Sequence, residues 1–123
     1  MPDPENNLPL TPAVFHILLA LSDGKKHGYA IMREVKQTTE GRMTLGPGTL
    51  YGAIKRLLKA SLITESDYRP DPILDDSRRR YYELTDLGWK VLATESERLA
   101  NLVEYARRKD LLGAASTRTG EGP

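Results

Sequence analysis

No cysteine occurs in this chain of 123 residues, and histidine is present only twice, tryptophan and phenylalanine once each. Without thiols, disulfides and thiolate metal sites are excluded. His16 and His27 stand apart, with no HExxH or HxxxH spacing, so no metal is expected. No nucleophile, base and acid fall into a catalytic constellation, so no catalytic residues are assigned and no enzyme is expected. His16 sits inside an apolar segment and reads as a packed or bonded core residue. The GPG at 46–48 lacks the lysine that follows in a phosphate-binding loop, and no cofactor is expected. No apolar run approaches the roughly 20 residues that span a bilayer. The acidic, proline-rich start MPDPENNLPL is no secretory signal. These absences fit a cytoplasmic protein with no membrane partner. A large net charge is missing too: 18 basic against 17 acidic residues leave +1. A protein that coats polyanions nonspecifically would carry far more.

What is present is 39% apolar and 28% charged, the balance of a globular chain with a modest core. One domain plus tails is expected. The organising stretch is Gly46 to Ile63, GPGTLYGAIKRLLKASLI. Gly46 and Pro47 suit a helix start. Leu50, Ile54, Leu57 and Leu58 recur at helical spacing and form one apolar stripe. The other side carries Gly48, Gly52, Lys55, Arg56 and Lys59, slim and wholly cationic. Such a face suits the DNA major groove, although lysine and arginine also populate any solvated helix face.

Residues 1–9 read as a flexible arm. Thr11 and Pro12 suit an N-cap and first helical residue. The first helix is expected over Pro12 to about Ser22, apolar on nearly all sides and so covered from two directions. Asp23 and Gly24 end it, and Lys25 and Lys26 complete an exposed turn. A second helix is expected from about His27 to Thr39, stopped near Gly41. Met43, Thr44 and Leu45 form an extended link and a candidate edge strand. Residues 62–68 suit a strand, 69–78 a loop with two prolines and three aspartates, and 79–84 a second strand. Alternation there places Tyr82 and Leu84 on one face, Tyr81 and Glu83 on the other. A second basic cluster, Arg78, Arg79 and Arg80, lies at the hairpin.

Thr85 is the expected cap of the longest helix, Asp86 to about Leu112. Leu92, Leu99 and Ala106 recur at seven, joined by Leu102 and Val103, a seam suited to a second copy of the helix. Folding back onto its own domain is the competing reading. Residues 113–123 are small and polar and are expected to be disordered. The fold class is mainly α with a small β-hairpin: a winged helix-turn-helix over 10–85, then a C-terminal helix over 86–112.

The segments HGYAI at 27–31, GTLYGAIKRL at 48–57, Leu62 with Ile63, and RRYYELTDLG at 79–88 resemble the PadR family of bacterial transcriptional regulators. The resemblance covers roughly residues 10–110. Having a single helix after the wing is similar to the shorter PadR subfamily, in which that helix supplies most dimer contacts. The chain departs from the family in carrying Gly52 where proline is usual and Pro47 where serine is frequent. Its hairpin tip is also long, with an apolar pair, Ile73 and Leu74.

The resemblance implies a homodimeric repressor acting on double-stranded DNA at an inverted-repeat operator. Helix Gly48–Ser61 would enter the major groove, with Lys55, Arg56 and Lys59 on base edges or phosphates. Arg56 is the first candidate for base readout, because arginine bonds guanine bidentately. Thr49 and Tyr51 are implied as phosphate contacts. Tyr51 reads equally as a packing aromatic, and Tyr29 shares that ambiguity. Arg78, Arg79 and Arg80 would meet the minor groove or the backbone, or else pair with Asp75 and Asp76. Some members of the shorter subfamily bind flat apolar compounds between the last helices. A small apolar or aromatic effector would here meet Trp89, with Phe15 and Val14 near it. The preferred reading of Trp89 is a plug in the core or seam. The rival function is a winged helix that contacts proteins through Ile73 and Leu74 and has little DNA affinity.

Overall fold

The computed structural model describes residues 4–70 and 78–113. A 3-10 turn at Pro4–Asn7 leads into α1 (Pro12–Ala20), β1 (Lys26–His27), α2 (Gly28–Thr38), α3 (Pro47–Lys59), β2 (Ile63–Ser66), β3 (Tyr81–Leu84) and α4 (Asp86–Arg108). The fold is mainly helical with a small antiparallel sheet, as the sequence pattern predicts. β3 lies between β1 and β2. Its register sets Tyr81 opposite His27 and Ser66, and Leu84 opposite Ile63. The hairpin tip with Asp71, Ile73, Leu74, Asp75 and Asp76 lies outside the described residues, as do 114–123 of the tail.

Side-chain caps start three of the four helices. Thr11 and Thr85 each accept an amide three residues on, at 3.2 and 3.0 Å. The third cap is the imidazole of His27, whose Nδ1 accepts the amide of Ala30 at 3.2 Å. α3 instead opens on Gly46 and Pro47 without a side-chain cap. Three helices also end alike. After α2, α3 and α4 the residues Glu40, Ser61 and Asp110 take positive φ of 53°, 62° and 63°. In each, the next amide reaches back five residues: Gly41 to Lys36, Leu62 to Leu57, Leu111 to Ala106. This closure satisfies carbonyls at the helix end and usually falls to glycine. Serine, with no glycine nearby, hid the end of α3. The helix stops at Lys59 and not at Ser61.

The core joins Ile17, Leu18 and Leu21 to Ile31, Val35, Leu50, Ile54, Leu57, Ile63, Tyr82, Val91 and Leu92. α1 is less enclosed than expected, since Leu19 is exposed and Val14 and Phe15 are half-buried. His16 is half-buried at the cleft between α1 and α2, edge-on to Phe15.

Several expectations need correction. The third strand is Lys26–His27, not Met43–Leu45. Gly24, at φ 150°, turns the chain there, a conformation that disfavours side chains. Met43 is instead held by the Thr39 hydroxyl at 3.0 Å, and Leu45 is buried. Lys26 is no exposed turn residue. Its ammonium donates to the Ala20 carbonyl at 2.7 Å and pairs with Asp23 and Glu34. Tyr81 is buried despite its alternation with Tyr82, because the rings of His27 and Tyr68 meet it edge-on at 5.3 and 5.8 Å. The end of the arm is docked, since Leu8 packs on the core. Just beyond the arm Leu10 packs there too, and its amide donates to Glu95 at 2.9 Å.

Candidate nucleic-acid interface

α3 divides as its pattern predicts. Leu50, Ala53, Ile54 and Leu57 are buried, while Thr49, Tyr51, Lys55, Arg56 and Lys59 are exposed. The helix is fixed by its apolar side, so its cationic side keeps a constant orientation. Gly52 leaves that side slim, with only the Arg56 guanidinium near the place of a β-carbon, at 3.7 Å.

Next to α3, a cleft of about 350 Å³ is lined by His27, Gly28, Tyr29, Tyr51, Arg78, Arg79 and Arg80. It joins residues from three separate segments. Tyr51 leans from α3 onto the first residue of α2. A β-carbon at Gly28 would lie 2.7 Å from the Tyr51 Cζ and closer still to its hydroxyl. Gly28 therefore admits the phenol, which remains about half exposed. Tyr29, 58% exposed, is no core residue; its ring stacks on His27 at 6.4 Å, and Arg33 lies over its face. Tyr51 thus packs on Gly28 and still leaves about half of its side chain at the surface.

Two parts of this surface were missed in the sequence. The first is the aromatic run Tyr29–His27–Tyr81–Tyr68, which ties α2 to the stem of the wing. The second is the set of cations over its faces: Arg33 on Tyr29, Arg69 on Tyr81 and Lys25 on Tyr68, at 5.8, 5.5 and 5.4 Å. The pairing of Lys26–His27 with β3 creates this adjacency, and two residues show no periodicity. Burial, and next the charge of Glu65, raises the Tyr82 hydroxyl above the usual phenol range, so it stays protonated.

The residues assigned to a helix seam separate. Leu92 is 5% exposed, inside the core of the domain. Leu99 and Ala106 are half-buried, and Leu102 and Val103 about half exposed. Trp89 is 47% exposed, so it is not a core plug. Val14 borders a groove with the arm and α3 whose lining does not include Trp89. Among the described residues no cluster of His, Asp and Glu suits a metal ion. Nor is any helix there long and apolar enough to cross a membrane.

This arrangement of three helices, a wing and a long last helix can be compared with known proteins. Residues 17–94 match the Transcriptional regulator PadR-like family. The chain belongs to that family. Its members regulate transcription, which agrees with the regulator reading and not with an enzyme. The PadR-like chain is 38% identical over 86 residues to an uncharacterized 37.1 kDa protein of a Streptomyces fradiae transposon. That match takes in 70% of this chain but 22% of the relative, so the chain spans about a fifth of that protein. Among solved structures, a PadR family transcription regulator from Clostridium difficile is 26% identical, with a TM-score of 0.64 over 80% of this chain and 97% of that one. RosR of H. salinarum, solved as a complex, is 23% identical and shares the fold, with a TM-score of 0.67 over 94% and 96% of the two chains.

Proposed function

We propose that the chain is a sequence-specific DNA-binding transcriptional regulator that acts as a homodimeric repressor on an inverted-repeat operator. The observation that carries this reading is the continuity of two cationic surfaces. The outer side of α3 with Lys55, Arg56 and Lys59 runs through Tyr51 into the cleft of Tyr29 and Arg78–Arg80. α3 enters the major groove, where Arg56 and Lys55 reach base edges and Thr49 and Lys59 reach phosphates. Arg78, Arg79 and Arg80 meet the flanking minor groove or backbone, where a narrow groove concentrates negative potential. Tyr29 and Tyr51 donate their hydroxyls to phosphate.

Dimerisation uses the distal half of α4. Glu95 is the last buried residue on that helix, and Leu99, Leu102, Val103 and Ala106 continue the same apolar side beyond it. A dimer of this kind sets its two recognition helices about one DNA turn, or roughly 34 Å, apart. A small apolar or aromatic effector stacks on the exposed Trp89, the sole tryptophan, and alters that spacing. Its binding is read from the fluorescence of that residue.

The deciding experiment is fluorescence anisotropy of labelled DNA from upstream of the protein's own gene, beside scrambled DNA, at several salt concentrations. Selective binding that weakens with salt supports the reading, since each phosphate contact adds about −0.9 to the slope of log K against log salt. Arg56→Ala and Lys55→Ala weaken binding without loss of fold. If both variants bind like the parent, the assigned recognition face is wrong. Equal, weak binding to both DNAs, followed by a genome-wide selection that returns no site, overturns the proposal.

A further inference from the structure

We infer that the arm segment 7–11 is a strap that holds α4 at a set angle to α3, with Glu95 as its positioning residue. Glu95 is 1% exposed and is the sole buried charged residue among those described. A buried carboxylate is costly unless it is fully bonded. Its Oε1 accepts Nε of Arg98 at 2.6 Å, and its Oε2 accepts Nη2 of Arg98 and the Leu10 amide, both at 2.9 Å. The Arg98 bonds stay within α4. The Leu10 bond joins α4 to a segment 85 residues away in sequence.

The arm touches both sides of the relationship that it sets. Asn7, Pro9, Leu10 and Thr11 form one wall of a groove of about 220 Å³ whose other wall includes Ala53, Arg56 and Leu57 of α3. Leu8 and Pro9 line a second groove with Thr94, Glu97, Arg98 and Asn101 of α4. Pro9 therefore borders both helices. At its base α4 is joined to the end of α3: the Thr85 hydroxyl donates to the Ser61 carbonyl at 2.6 Å, and the Thr85 amide to the Leu62 carbonyl at 3.1 Å. Val91 and Leu92 hold the first turns of that rod in the core. The strap adds a point one turn farther on, at Glu95, where the helix leaves the domain. Arg108 lies 13 residues farther on, or about 20 Å of helix, so a small tilt at Glu95 becomes a large displacement at the tip.

The absence of cysteine makes the test direct. Spin labels on Lys59→Cys in α3 and Ala100→Cys in α4, diluted with unlabelled chains, report the distance between the helices within one chain. Deletion of residues 2–9 is expected to broaden or shift that distance by several ångströms while helix content is kept. Glu95→Ala should do the same, and Glu95→Gln, which retains an acceptor for the Leu10 amide, should lie nearer the parent. A distance distribution that superimposes on the parent's in the folded deletion variant overturns the strap. If the deletion variant does not fold, Glu95→Ala and Pro9→Gly decide the matter by the same distance. The second readout rests on the DNA reading above: operator affinity falls about tenfold with the dimer mass unchanged. A parent protein that ignores operator DNA counts against the DNA reading, and the distance still judges the strap.

Discussion

The phenol of Tyr51, on α3, lies against Gly28, the first residue of α2, so closely that no side chain fits between them. Because Tyr51 is about half exposed, its ring has room to swing outward. Gly28→Ala should therefore leave stability within about 1 kcal/mol of the parent, the range of a tolerated small change. On the proposed function it should weaken operator binding about tenfold, by moving the hydroxyl off its phosphate. In a Tyr51→Ala background the same change should add little further loss. Titrations of the four proteins close that cycle.

Gly88 offers no such escape. A β-carbon there would lie 3.0 Å from the carbonyl carbon of Leu62 and overlap its oxygen. Leu62 cannot rotate away, since its carbonyl also accepts the Thr85 amide. Gly88→Ala should cost about 2–4 kcal/mol, at the severe end for single substitutions. Urea unfolding measures it, and a cost within 0.5 kcal/mol, roughly that of a surface change, would contradict the described joint.

Ser61 is expected to gain from the opposite change. It holds a left-handed conformation that costs a side-chain residue about 1 kcal/mol. Its backbone alone is engaged: the carbonyl accepts the Thr85 hydroxyl and the amide donates to the Leu58 carbonyl. Ser61→Gly should raise stability by about 0.5–1 kcal/mol, seen as a higher urea midpoint at unchanged slope.

Glu95 ties stability to acid. The Arg98 hydrogen bonds, helped by the Leu10 amide and opposed by burial, hold its carboxyl below the usual range. A depressed folded-state pKa means that its contribution is complete above the unfolded value, about 4.3 for glutamate. The contribution fades as pH falls through the lower folded value. Thermal midpoints of the parent and Glu95→Gln should therefore differ most near neutrality and converge in acid. A gap that stays constant down to acid unfolding would sink this account.

Leu92 and Leu102 should respond in opposite ways. Leu92→Ala opens the core of the domain and should cost about 2–5 kcal/mol. Leu102, half exposed, contributes little to that core. On the proposed dimer, Leu102→Asp with Val103→Asp should keep the fold and halve the mass in solution, measured by sedimentation. An unchanged dimer mass would move the interface away from this face.

The features legible in the sequence were those written in periodicity and capping chemistry. The two-sided character of α3, the caps at Thr11 and Thr85, and the order of elements all follow from local patterns. What was hidden depends on tertiary pairing. Lys26 and His27 become a strand only because β3 lies beside them. Tyr81 is buried by rings from two distant segments. Nothing in MPDPENNLPL announces that Leu10 will meet a carboxylate on the last helix. For the surface, the α3 cations and Arg78–Arg80 were found as charge clusters. The ring run from α2 to the stem of the wing, with Arg33, Arg69 and Lys25 over it, spans three segments and leaves no linear trace. Of the heptad positions Leu92, Leu99 and Ala106, the core of the domain takes the first, which spacing alone does not reveal.

That division has a consequence for alignment. With Leu92 enclosed, the apolar side left on α4 runs from Leu99 to Ala106, about 10 Å of helix. A partner rod sliding by one heptad would carry Ala106 past Arg108, where the helix ends. In the proposed dimer, so short a contact has a single good register. The interior of each domain would then select how the two rods line up, without touching the second one.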